Sequence, residues 1–165
     1  MPAIDLVHNL ARRLVRSPGD AEDLVQETLA RAWVAWSRGF RPESLRPWLS
    51  TICLNLARDR ARRVARHREV SWPDDFDPAG VADVEDEAIL RVQRALVERA
   101  LWTLPETQRV AIVLMDICGL TAAETATVTG APRGTVLARV HRGRKALTDA
   151  VHDMAPADDR GRRRR

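Results

Sequence analysis

Apolar positions recur along this chain at the three- and four-residue spacing of an amphipathic helix, and no stretch alternates in the manner of a strand. Val7, Leu10, Ala11, Leu14 and Val15 form the first stripe, which Ser17-Pro18-Gly19 interrupts. Asp20 is placed to cap a second helix, where Ala21, Leu24, Val25, Thr28, Ala32, Trp33 and Trp36 keep the spacing and are expected to face inward. Ser37 to Pro42 is the next break. Ser44 then caps a third helix, Pro47 falls in its tolerant first turn, and Trp48, Leu49, Ile52, Cys53 and Leu56 point inward. Further on, Ile89, Val92, Leu96 and Ala100 stripe a fourth helix, and Leu104-Pro105 opens a fifth that ends near Gly119. The pattern predicts an all-α protein.

The last part of the pattern is the most specific. In Gly119 to Leu147 (GLTAAETATVTGAPRGTVLARVHRGRKAL), Thr121 and Glu124 make a T-x-x-E capping box that starts a helix at Ala122. Ala126 is small enough for a close helix crossing, and Gly130 suits a left-handed turn. Pro132 suits the first turn of the following helix. Val136, Val140 and Leu147 share its inward side. Arg133, Thr135, Arg139, Arg142, Arg144 and Lys145 occupy the other faces, with no acid between Arg133 and Lys145. This is a helix-turn-helix whose second helix is basic, built to lie in a major groove and offer Arg to guanine edges or phosphates. Arg133 and Arg139 are the candidates for base edges, and Arg142, Arg144 and Lys145 for phosphates.

Charge adds a division of the chain. The net charge is only +4 over 165 residues, but it is segregated. Leu56 to Glu69 holds six Arg and two acids, Pro73 to Glu87 holds seven acids and no base, and the last six residues hold five Arg. The basic parts suit polyanionic partners. The acidic stretch, with its Pro and Gly, buries too little to fold alone and reads as a flexible linker. Two small helical domains follow, 3–69 and 88–153, joined by the linker 70–87 and followed by a disordered Arg-rich tail, 154–165. No apolar run reaches the length of a membrane span and no signal-peptide core opens the chain, so a cytoplasmic protein is expected. Cys53 and Cys118 sit within apolar segments and read as small buried hydrophobes, not as a disulfide or metal site.

The first domain carries two further constellations. On the second helix, Asp23, Gln26, Glu27, Ala30 and Arg31 lie opposite the apolar stripe. On the third, Asn55, Arg58, Asp59, Arg62 and Arg66 recur at three- and four-residue intervals and form a stripe with phosphate reach. The loop Phe40 to Leu45 lies beside several Trp, and aromatics near a basic stripe stack on unpaired bases. The spacing nevertheless assigns Trp33, Trp36 and Trp48 to the core.

The segments DAEDLVQETLARAW, RPWLSTICLNLARDRARR and LPETQRVAIVLMDICGLTAAETATVTGAPRGTVLARVHRGRKAL together resemble an extracytoplasmic-function sigma factor of bacterial RNA polymerase. The likeness covers about residues 6–69 and 100–148, in the family's order. It implies that 3–69 is sigma region 2 and 88–153 is sigma region 4. It also implies that Asp23, Gln26, Glu27 and Arg31 bind the clamp helices of the polymerase largest subunit. Phe40, Arg41, Ser44, Asn55, Arg58, Arg62 and Arg66 would engage and melt the −10-like element, with an unpaired base held by the loop. The helix from Pro132 to Leu147 would read the −35-like element through Arg133, Thr135, Arg139, Arg142, Arg144 and Lys145, and an anti-sigma factor would be a further partner. Departures from the family pattern are the short first helix, Thr125 and Thr129 in place of larger aliphatics, Leu137 in place of Lys, and Gly143, expected to weaken its helix by about 1 kcal/mol relative to Ala.

The chain is thus expected to choose promoters for a polymerase and to carry no chemistry of its own. A stand-alone helix-turn-helix regulator is the alternative, and it would not need the Asp23/Gln26/Glu27 face. An enzyme is disfavoured because His8, His67, His141 and His152 lack a carboxylate or Cys partner at catalytic or metal spacing, and no Gly-rich phosphate loop is present. No metal or cofactor is expected.

Overall fold

A computed structural model describes residues 3–67 and 85–154. Helices α1 (Ala3–Leu14), α2 (Pro18–Ser37) and α3 (Leu45–His67) form a first module. Helices α4 (Glu85–Thr103), α5 (Glu106–Ile112), α6 (Ala122–Thr129) and α7 (Arg133–Met154) form a second. The fold is all-α, as the periodicity required. The expected linker lies outside the described residues as far as 84, and its last positions, Glu85 to Glu87, already belong to α4. The Arg-rich tail from 155 also lies outside them.

Local chemistry sets the helix starts. The cap of α2 is Ser17, not Asp20: its Oγ accepts the Asp20 N–H at 3.4 Å, and Pro18 occupies the first helical position. Proline lacks the N–H that this position leaves unpaired, so the cap falls three residues earlier than Asp20. Asp20 then lies in the first turn, where its charge complements the positive helix end.

The first core holds Leu6, Val7, Leu10 and Ala11 of α1, Ala21, Leu24 and Ala32 of α2, and Leu49, Cys53, Leu54 and Leu56 of α3. Buried Thr28 satisfies its hydroxyl by donating to the Leu24 carbonyl at 2.7 Å. Two inward assignments fail. Trp33 is 70% exposed and Trp36 43% exposed, because the end of α2 runs past the core into an open groove of about 650 Å³ shared with Ile4 and Leu45. Trp48 is half-buried, with its ring 5.3 Å from Phe40.

In the second module Val92 is likewise exposed rather than inward. The apolar face of α4 lies further along, where Leu101 and Leu104 meet Ile112, Ala146 and Leu147. The chain after Ile112 continues as a π-helical turn, Val113–Ile117, in which the Cys118 N–H reaches back to the Val113 carbonyl at 2.8 Å. Gly119, at φ +66°, then ends the helix. The run from Val110 to Leu114 is apolar on every side, and it is buried on every side.

That burial comes from both modules. Ile112 faces α4 and α7, while Val110, Val113, Leu114, Cys118, Leu120 and Val128 join the core of α1 to α3. Polar ties border this shared core. The Arg46 guanidinium donates to the Cys118 carbonyl, and ion pairs Arg13–Glu98 and Arg58–Glu106 each span 3.6 Å. Both cysteines are buried and free, in keeping with their reading as core residues.

Candidate nucleic-acid interface

The helix-turn-helix forms as its residues dictate. Thr121 Oγ1 accepts the Glu124 N–H at 3.2 Å, and the Glu124 carboxylate accepts the Thr121 N–H at 2.8 Å. Those bonds, first from the backbone N–H and then from the hydroxyl of Thr121, hold the Glu124 carboxyl below its ordinary range. Gly130 takes the left-handed conformation at φ +68°. Pro132 stands one position before α7 and not inside its first turn; its carbonyl accepts the Val136 N–H at 3.0 Å. Thr125 is buried, and Thr129 donates its hydroxyl to the Thr125 carbonyl at 2.7 Å.

Val136, Val140 and Gly143 seat α7 on its neighbours. At 100° per residue, the side opposite them is centred on Gly134, Ala138 and Lys145, with Leu137, His141 and Arg142 flanking, and all six are exposed. The candidate residues divide accordingly. Arg142 and Lys145 belong to the outward face, and Arg133, the first residue of α7, is exposed on the side of Val140. Thr135 and Arg139 are half-buried on the flank. Arg144 turns back to the π-helical turn, donating from Nε to Asp116 at 2.9 Å and from Nη2 at 2.5 Å. Basic composition alone did not show that Leu137, Ala138 and His141 share the outward face; the positions of Val136 and Val140 define it by exclusion.

In the first module Asn55, Arg62 and Arg66 are exposed along α3. Arg62 also pairs with Asp59, and Arg66 donates to the Arg62 carbonyl at 3.3 Å. Arg58 is half-buried and faces Glu106 of the second module. At the start of α3 the loop is already shaped. Gly39 at φ +90° turns the chain out of α2, and Arg41 Nη1 donates to the Trp36 carbonyl at 2.7 Å and the Phe40 carbonyl at 2.9 Å. The same guanidinium lies 4.0 Å from the Trp36 ring, so Trp36, Phe40, Arg41 and Trp48 form one aromatic and cationic group, with Ser44 exposed beside them.

On α2, Asp23, Gln26 and Arg31 are exposed and Glu27 is half-buried. Glu27 accepts from Arg31 at 2.8 Å and from Arg60 of α3 at 3.0 Å, and the Arg60 bond is the main cause of its lowered pKa. Arg60 also donates to the Asp20 carbonyl at 3.1 Å. The α2 face is therefore tied to the helix that carries the basic stripe. It continues from Ala30 to Val34 and Arg38, two residues that the same four-residue spacing would have revealed.

Comparison with known proteins decides the family. Residues 3–67 match Sigma-70 region 2, and residues 94–147 match Sigma-70, region 4. The ECF RNA polymerase sigma factor EcfG of Rhodopseudomonas palustris is 33% identical, over 96% of this chain and 88% of that protein. The chain belongs to the ECF sigma factors. SigE of Mycolicibacterium smegmatis is 40% identical over 88% of this chain, which spans 57% of that relative's length. The fold agrees as well: the sigma factor RpoE of Bartonella quintana, solved in complex with the anti-sigma factor NepR, superposes with a TM-score of 0.70, 29% identity and coverage of 93% of this chain and 94% of RpoE. No helix among the described residues of this ECF chain is long and apolar enough to cross a membrane.

Proposed function

We propose that this ECF chain is an alternative sigma factor that brings core RNA polymerase to specific promoters and initiates transcription in the cytoplasm. The observation that carries the reading is the pairing, in one chain, of a region 2 module bearing an exposed Asp23/Gln26 face with a region 4 module bearing a basic recognition helix. Polymerase performs the chemistry, and this chain supplies promoter choice.

Labour divides by contact type. Asp23, Gln26, Glu27 and Arg31 dock on the clamp helices of the largest subunit. Asn55, Arg62 and Arg66 hold the strand backbone near the −10-like element, joined by Arg58 once Glu106 releases it. The loop Phe40 to Ser44 receives an unpaired base. Region 4 reads the −35-like element in the major groove, with phosphate contacts fixing its register. Because Arg60 fastens Glu27 to α3, docking on polymerase also fixes the helix that meets the DNA. An anti-sigma factor is the expected regulatory partner, as NepR is for the RpoE it was solved with.

Run-off transcription with purified core polymerase and genomic promoter fragments tests the reading. Promoter-specific transcripts are expected with the chain and not without it. The variant Asp23→Ala/Gln26→Ala should lose core binding while retaining its helicity, since both side chains are exposed. Unchanged core binding by that variant would move the docking surface away from this face, whereas DNA binding by the wild-type chain without any binding to core would support a stand-alone regulator instead.

A further inference from the structure

The outward face of α7 is mostly not basic. Its centre is Gly134, Ala138 and Lys145, and beside them stands Leu137, an aliphatic side chain 45% exposed on a helix that buries Val136 and Val140. A cation at such a place serves phosphates or guanine. A branched aliphatic group is matched in the major groove only by the 5-methyl group of thymine. Gly134, one turn earlier, has open space around the position of a Cβ, so the helix start can approach the base edges closely. His141 follows Leu137 by four residues on the same side, and Arg142 is exposed next to it.

We propose that Leu137, with Ala138 beside it, is a specificity-determining residue that reads thymine methyl groups in the upstream promoter element. The proposal rests on the reading above, that α7 enters a major groove. It predicts an upstream element that contains at least one thymine, on either strand.

The test begins by enriching duplexes from a random library with the full chain bound to core polymerase. Each thymine of the enriched upstream element is then replaced in turn by deoxyuridine, which removes the methyl group and leaves base pairing intact. One or two replacements should weaken wild-type binding about fourfold each, the effect of withdrawing one buried methyl-sized group. The same replacements should leave Leu137→Ala unaffected, because its contact is already missing. Leu137→Lys should shift the enriched base toward guanine, whose O6 and N7 accept from a cation. Deoxyuridine that is neutral for wild type at every position, or equally damaging to wild type and Leu137→Ala, overturns the proposal while leaving α7 as the reading helix. Failure of any upstream sequence to enrich would overturn the reading of α7 itself.

Discussion

Arg144 of the recognition helix is bonded through two nitrogens to the carboxylate of Asp116, which the π-helical turn presents from the neighbouring segment. The bridge orients α7 and leaves less of the Arg144 charge for DNA. Lys145→Ala should therefore flatten the dependence of log K on log salt by about 0.9. Arg144→Ala should flatten it by much less, yet still weaken binding by loosening the helix. Asp116→Ala, which frees Arg144, should steepen the dependence. Fluorescence anisotropy over a salt series decides, and equal slopes for Arg144→Ala and Lys145→Ala would make Arg144 an ordinary phosphate contact.

Gly143 looked like a defect in the sequence, since alanine favours a helix interior by about 1 kcal/mol. The structure reverses that judgement. A Cβ there would sit 2.7 Å from Cδ1 of Ile112 and 3.3 Å from Cβ of Gln108, where α5 crosses α7. Gly143→Ala should lower stability by about 1 kcal/mol through overpacking. Ile112→Val, which deletes that Cδ1, should cost about 1 kcal/mol alone. The double variant should lose clearly less than the two combined, because the new methyl fills the vacated space. Urea midpoints measure all three, and strict additivity would show that Ile112 is not the obstacle.

Glu106 holds Arg58 across the modules at 3.6 Å, and on the proposed reading it competes with DNA phosphate for that guanidinium. Glu106→Ala should strengthen binding to non-specific duplex and steepen its salt dependence by about 0.9. Its effect on folding should stay within about 1 kcal/mol, because the Glu106 side chain is exposed. A weaker or unchanged DNA affinity would place Arg58 away from the phosphates.

These cases also mark what the residues revealed in advance. The capping box at Thr121 and Glu124, the left-handed Gly130 and inward Val136 and Val140 rest on local rules, and each was legible from spacing alone. Trp33 was not: periodicity gives the direction of a side chain but not whether another element covers it. The same limit hid the burial of Val110 to Leu114 by both modules and the π-helical turn, which depends on how α5 sits between two cores. Candidate site residues were recognisable by charge, but their division was set by long-range partners. Arg144, Arg58 and Glu27 each meet a carboxylate or guanidinium that sequence distance concealed.

The buried thiols supply a pH dependence of known sign. Burial raises Cys53 from 9.0 to about 12 and Cys118 from 9.0 to about 11. A group whose folded pKa is raised favours the folded state fully below its unfolded value, so this contribution is intact at neutral pH. It is lost as pH rises from 9 through 11, by about 2 kcal/mol for Cys118. Cys118→Ala should therefore lose less stability than wild type between pH 9 and 11, followed by chemical denaturation. At neutral pH iodoacetamide should label neither thiol of the folded chain. Parallel alkaline losses in wild type and variant would place Cys118 in contact with solvent.

Promoter opening separates a sigma factor from a repressor, and the proposed reading gives the loop after α2 a part in it. Arg41 is held by the carbonyls of Trp36 and Phe40 and lies over the Trp36 ring, so the loop is a formed surface on which, in the proposed reading, a nucleobase would stack. Stacking of one unpaired base is worth about 1–3 kcal/mol, enough to bias local unpairing about five- to 150-fold. Replacing Arg41 to Ser44 by Gly and Ser should spare closed-complex binding, which depends on α7, and should lower permanganate reactivity of thymines near the start site. A template with a pre-melted bubble should restore transcription, because it supplies the unpaired base that the altered loop no longer captures. If the bubble fails to restore activity, the loop acts at another step. If the loop variant is fully active on duplex DNA, the aromatic group has no part in melting, and the basic stripe of α3 must open the promoter without it.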